Sequence, residues 1–281
     1  MKLALRLGLS FFCLSIAYVS AQGQASSEES SCSSTLVGSV PSRPTVSNST
    51  DTTQCGVVEL EYGWERQWVS TGVHQSDLSG GLRLGLTPNL DLHWSSTDFL
   101  SMVDATGARS GFGDSWLGLK YRFLRQTKHI PSLGVFYLAK VPSADAKNGM
   151  GTGQVDHAIS FLASKDLGRV HLDFNVTPLL AGCRGSNGFD HDTGLALSSS
   201  IPLTQRLGLV TEGYGYTSLN RDDPAFASAM VGFTYQVQRR LILDSGIDIG
   251  VTSDAPQTRV FAGITYAIGN AYSWFARRRG N

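Results

Sequence analysis

The chain has 281 residues, with 23 Lys and Arg against 23 Asp and Glu, 16% charged residues and 31 glycines. That neutral balance excludes the broad cationic surface that nucleic-acid binding needs, and a mean hydropathy of −0.06 excludes a bundle of membrane-spanning helices. Few charges and abundant glycine suit a soluble β-protein or a chain that crosses a membrane as strands.

Lys2 and Arg6 precede an apolar run from Leu7 to Val19, and Val19-Ser20-Ala21 fits the small-x-small rule for signal peptidase. Residues 1–21 therefore read as a signal peptide cut before Gln22, and the mature chain as exported. Its loss leaves 21 basic and 23 acidic residues. Residues 22–55 are rich in Ser, Thr, Gln and Glu, with Pro41 and Pro44. They are too poor in apolar side chains to bury a core, which predicts a disordered periplasmic leader, with a plug or partner-docking segment as the alternative. Cys32, Cys55 and Cys183 then lie in an oxidising compartment. A Cys32 to Cys55 bridge would close the Ser-rich segment onto the mouth of the following domain and leave Cys183 over. Their spacing carries no zinc signature, and no metal or cofactor is expected.

From Val57 the pattern has period two. Val57 to Trp68 sets Glu59, Glu61, Glu65 and Gln67 against Val58, Leu60, Tyr62, Trp64 and Trp68; Leu78 to Leu86 sets Arg83 against Leu82 and Leu84; Leu90 to Ser95 sets Asp91 and His93 against Leu92 and Trp94. The fourth run, Gly111 to Phe123, is the clearest. Asp114, Trp116, Gly118, Lys120 and Arg122 share one parity; Leu117, Leu119, Tyr121 and Phe123 share the other. A helix would mix these on one stripe, whereas a strand separates them onto opposite faces. Ser132 to Val141, Gln154 to Asp166, Val170 to Thr177, Thr193 to Ile201, Leu207 to Thr217, Ala227 to Tyr235, Leu241 to Val251 and Thr258 to Ile268 bring the count to twelve. An outward apolar row on nearly every strand has nothing to pack against unless lipid covers it. The expected fold is all-β: a transmembrane antiparallel up-and-down barrel over residues 56–269, followed by a basic tail over 270–281.

The connections alternate. Thr87 to Asn89, Leu167-Gly168, Pro202 to Arg206 and Gln236 to Arg240 are short, whereas Thr97 to Ser110, Pro142 to Gly153, Ala181 to Asp192, Ser218 to Pro224 and Thr252 to Gln257 are generally longer. Bacterial barrels keep short turns in the periplasm, so both termini are expected there. Tyr121, Phe123, Tyr235 and Tyr266 would form one interfacial girdle. These features predict the bacterial outer membrane as location, with outer-membrane lipid, lipopolysaccharide and the barrel-assembly machinery as partners.

The motif Gly-x-Gly-Asp-x-x-Leu-Gly-x-Lys-Tyr-Arg-Phe at Gly111 to Phe123, followed by Pro131 to Val141 and Gly151-Thr152-Gly153, resembles the outer-membrane barrel family labelled "MetA-pathway of phenol degradation". The resemblance runs from Val57 to Ile268 and implies passage of hydrophobic or aromatic small molecules. The cysteine-bearing leader and the tail with Arg277, Arg278 and Arg279 depart from the family pattern.

Chemistry could reside in His93-Trp94-Ser95, a His and Ser pair as in a barrel-borne lipid hydrolase, but both residues have lumen parity, away from lipid. Asp190-His191-Asp192 and Asp222-Asp223 carry oxygen ligands, yet such loop clusters are usually just solvated. The lumen is the stronger candidate. Glu61, Arg83, Asp91, His93, Asp114, Lys120, Arg122, Lys140, Asp173, Asp244 and Asp248 line it with both signs of charge, joined by Glu59, Asp156, His171, Glu212 and Arg259. Such charges can brace a narrow barrel or select a solute. Inward Trp116, Phe136 and Phe261 would narrow the bore and offer stacking surface. The expected function is a passive channel for small hydrophobic or aromatic molecules, not an enzyme; a lipid hydrolase or a structural, adhesive barrel are the alternatives.

Overall fold

The computed structural model describes residues 32, 36–183, 188–218 and 224–274. The signal peptide, Asp222-Asp223 and the arginines of the tail lie outside the described residues.

Thirteen strands follow in chain order: β1 (Val57–Ser70), β2 (Val73–Thr87), β3 (Leu90–Asp104), β4 (Gly107–Gly111), β5 (Ser115–Leu124), β6 (Ser132–Val141), β7 (His157–Leu167), β8 (Val170–Gly182), β9 (Phe189–Pro202), β10 (Leu207–Tyr216), β11 (Phe226–Gln238), β12 (Leu241–Gly250) and β13 (Thr258–Asn270). Each pairs antiparallel with its neighbours, and β1 closes on β13 from Val57 opposite Asn270 to Trp68 opposite Thr258. The result is a closed twelve-stranded barrel, with β4 pairing only along the outer end of β3. Closure leaves no sheet edge among the twelve barrel strands, which is what lets strands cross lipid without unpaired backbone groups.

The pleat sorts the side chains as the period-two pattern predicts. On β5, Leu117 is 48% exposed on the outer wall while Lys120, three residues on, is 1% exposed inside. Trp64, Leu82, Leu92, Trp94, Phe161, Leu197 and Phe233 continue the apolar outer belt, and Tyr121, Phe123 and Tyr235 stand exposed near one end of it. No helix among the described residues is long and apolar enough to cross a membrane.

One end of the barrel holds the connections 88–89, 125–131, 168–169, 203–206 and 239–240, together with the start of β1 and the end of β13. The other end holds the rest, among them 142–156 with its short 3₁₀ turn Ala146–Asn148.

Three expectations change. Thr97 to Ser110 is no loop: β3 runs on to Asp104 and returns through β4 as a hairpin that pairs Asp104 with Gly107. A register shift opposite Leu78 and Ser79 resets the parity of β3, which hides the continuation from a strict alternation count. Asp190-His191-Asp192 lies within β9 rather than in a loop, so successive side chains point to opposite faces and the three cannot converge on one ion. The leader also departs from expectation, for residues 36–55 lie inside the barrel.

Candidate functional site

Residues 36–54 form almost no regular structure, so their backbone groups need partners elsewhere. The inward side chains of the wall supply them. Val40 N–H donates to Glu59 Oε2 (2.7 Å), and Ser42 N–H to Glu61 Oε1 (2.7 Å). Val46 and Ser47 N–H donate to the two oxygens of Glu212 (2.8 and 2.7 Å). Asn48 exchanges two bonds with Asn175, N–H to Oδ1 at 2.6 Å and Nδ2 to O at 2.9 Å. Thr50 N–H reaches Ser164 Oγ (2.8 Å), and Thr53 N–H reaches Asp91 Oδ2 (2.8 Å). In order, the segment meets β1, β10, β8, β7 and β3, so it laps the inner wall and crosses the lumen as a plug.

Both ends of the plug are fixed at the short-turn end. Cys32 is disulfide-bonded to Cys55, and Asn270 Nδ2 donates to both of their carbonyls (2.9 and 3.2 Å). A helical turn over 271–274 follows at once, where Ser273 N–H caps back onto Asn270 Oδ1 (3.0 Å) and Tyr272 Oη donates to Leu86 O (3.0 Å).

The wall carries glycine where Arg43 of the plug lies against it. Gly63 of β1 stands opposite Gly263 of β13, and a Cβ on either would come within 2.3 Å of the Arg43 side chain. This pair of glycines forms a slot through which Arg43 reaches Asp244 (3.1 Å).

Most lumen charges predicted from the sequence act in this framework. Arg83 pairs with Glu59 and with Glu61 (3.0 Å) and donates to Val40 O and Ser42 Oγ of the plug. Lys120, whose Nζ is 3.9 Å from Asp91 Oδ2, donates to Ser49 O (3.4 Å) and Asp51 O (2.6 Å). Arg122 pairs with Asp51 (2.8 Å). Towards the far end, Lys140 sits between Asp156 and Asp114 (3.7 Å from the latter), and Arg259 joins Asp248 (3.0 Å) to Glu65 (3.1 Å). Asp173 receives Ser164 Oγ–H (2.6 Å) and faces His171 (3.1 Å). His93 places Nε2 at 2.9 Å from Asp91 and tilts against Phe136 with ring centroids 4.6 Å apart. Its commitment to Asp91 and Phe136, rather than to Ser95, makes it a brace.

Two cavities open on the far side of the plug. The larger, about 370 Å³, is walled by Trp116, Leu138, Ala158, Leu179, Ala196 and Tyr216, has Val46 and Asn48 of the plug at its floor, and adds the polar side chains of Ser95, Ser160, Asn175 and Thr177. Its neighbour, about 270 Å³, shares Asn48, Ser95 and Leu138 and adds Arg43, Glu61, Arg83, His93 and Phe136. A third space, about 450 Å³, lies towards the short turns and touches the plug at Val40 to Thr45, Ser49 and Asp51. The 370 Å³ chamber is the size of a small-molecule site, mostly apolar with a few convergent polar groups.

The sequence profile of the family described as "Putative MetA-pathway of phenol degradation" matches residues 42–268. The chain belongs to this family. Among solved structures, the fold is similar to an outer membrane channel from Pseudomonas putida F1, with 15% identity over 82% of this chain and all of that one and a TM-score of 0.63. The NanC porin is similar at 8% identity over 75% of this chain and all of that one, with a TM-score of 0.52. No curated protein sequence matches the chain.

Within this family member, Trp116 borders the 370 Å³ chamber and Phe136 the adjoining one. Phe261 packs inside with Val210 and Met230, away from both. Val46, Asn48, Leu138 and Tyr216 escaped the sequence reading. Inward parity pointed to Leu138 once Phe136 and Lys140 were placed; nothing local marked the plug residues, whose role depends on the wall they meet.

Proposed function

We propose that the protein is an outer-membrane channel for passive passage of small hydrophobic or aromatic molecules, with its short turns in the periplasm. The observation that carries this reading is the apolar chamber bordered by Trp116, Leu138, Leu179 and Tyr216, enclosed by a closed barrel with an apolar outer belt. Aromatic and aliphatic surface binds such a solute without a fixed hydrogen-bond pattern, while the few polar groups fit a single hydroxyl. Family membership and the likeness in fold to a bacterial outer membrane channel support the same reading.

Whole-cell uptake tests it, because lipopolysaccharide slows the entry of hydrophobic solutes. Gram-negative cells expressing the protein should take up radiolabelled toluene faster than cells carrying an empty vector, with glucose uptake unchanged. Equal toluene rates, with folded protein present in the outer membrane, would overturn the proposal.

A further inference from the structure

The five connections at the short-turn end carry Arg125, Lys128, Arg169, Arg206, Arg239 and Arg240, and no Asp or Glu. The described connections at the opposite end reverse the sign, with Asp114, Asp145, Asp156 and Asp254 against Lys147. Among the described residues, none of the six cations is in an ion pair with a carboxylate. Where they have partners, these are neutral. Arg125 donates to Asn89 Oδ1 (3.1 Å) and Arg169 to Pro202 O (2.5 Å). The loop that carries Lys128 is itself held in shape, since Lys165 donates to the carbonyls of Lys128 (3.1 Å) and Ile130 (3.3 Å).

A second observation accompanies the charge. Four of the cations each have an exposed aliphatic side chain close by in sequence: Ile130 (48%) by Lys128, Leu167 (56%) by Arg169, Leu203 (46%) by Arg206 and Val237 (39%) by Arg239. Exposed apolar surface beside an unneutralised guanidinium is poor design for water. It suits the boundary of a bilayer, where the aliphatic group enters the acyl region and the cation stays at the headgroups. The turns stand just past the exposed Tyr121, Phe123 and Tyr235, at the level where headgroups meet a barrel. They succeed one another from β5 to β12, eight of the twelve barrel strands. A folded acidic partner would touch one sector of that arc, whereas a leaflet surrounds all of it.

We propose that this rim is a collar that binds anionic glycerophospholipid in the leaflet on the short-turn side, with guanidinium groups on the phosphates. The collar rests on the membrane-barrel part of the proposed function and is independent of the solute.

The test uses the full-length mature protein, delipidated in neutral detergent and titrated separately with phosphatidylglycerol, phosphatidylcholine and lipid A, with bound lipid counted by native mass spectrometry. Phosphatidylglycerol should be retained at least about a hundredfold better than phosphatidylcholine. The fourfold variant K128Q/R169Q/R206Q/R239Q should lose that preference, and K147Q at the far end should keep it. The pairs K128Q/R169Q and R206Q/R239Q should each lower retention by an intermediate factor, roughly fivefold per cation, which keeps the test decisive should the fourfold variant not fold. A folded barrel that holds both phospholipids equally, a fourfold variant that binds as the wild type does, or a collar on which only lipid A depends overturns the proposal. Failure of the membrane reading would look different: no heat-modifiable barrel and no insertion into bilayers.

Discussion

Glu212 holds the plug by two adjacent backbone amides. The residue is 4% exposed, and its carboxylate receives the backbone N–H groups of both Val46 and Ser47, at 2.8 and 2.7 Å. Hydrogen bonds to a charged acceptor contribute about 1.5–3 kcal/mol each, so Glu212→Ala removes roughly 3–6 kcal/mol if the freed amides stay dry. Water in the adjoining cavities will reclaim part of that loss, and about 2–3 kcal/mol remains a fair expectation. At 1.4 kcal/mol per tenfold, the undocked plug population rises about 30- to 150-fold. Single-channel recording in planar bilayers reads this directly as the fraction of time at full conductance. Glu212→Gln keeps one carbonyl acceptor and should fall between the two. If Glu212→Ala inserts as a folded barrel and its open fraction stays within twofold of wild type, Glu212 does not hold the plug.

Other contacts give further expectations. Lys120→Met removes a buried cation and leaves the Asp91 carboxylate and two plug carbonyls facing an apolar chain; breaking a buried pair costs about 3–5 kcal/mol, visible as a lower urea midpoint, and an unchanged midpoint would show the pair to be dispensable. Arg122→Glu sets like charges against each other at Asp51, so conductance should rise through a loosened plug while ion preference stays fixed; a reversed preference with the plug still seated would mean that Arg122 faces the permeating solute. Trp116→Ala takes aromatic surface from the chamber, and a stacking contribution of about 0.5–1.5 kcal/mol predicts a two- to tenfold lower rate of toluene uptake, with unaltered uptake as the refuting result.

The barrel was legible because lipid and lumen impose opposite solvents on successive residues. Lys120 beside Leu119 and Tyr121 can be satisfied only by a strand with two different faces. The hairpin of β3 and β4 was harder, since a bulge interrupts the alternation; the tip Asp104-Ala105-Thr106-Gly107, with Gly107 at φ 119°, is a turn signal that length alone disguised as loop. The plug could not be read as ordered. Disorder is inferred from the lack of a core, and this segment uses none of its own: Glu59, 19 residues from Val40, and Ser164, Asn175 and Glu212, each more than a hundred residues from their partners, provide its acceptors. For the same reason the inward charges could be assigned to the lumen by parity while their partners could not. Asp244 reads as a lumen carboxylate, but its pairing with Arg43 depends on a slot made by two glycines 200 residues apart.

The Cys32–Cys55 bond gives the plug a mechanical property. Both ends of the segment are fastened at one point beside the β1–β13 seam, so tension applied at the N-terminus passes through the disulfide into the wall and never reaches Val46 or Asn48. The segment behaves as a loop of rope tied off at a cleat, not as a cork on a string. It cannot be drawn out by its leading end, and room for a solute has to come from slack within the loop, shifting sideways from one set of anchors while the knot holds.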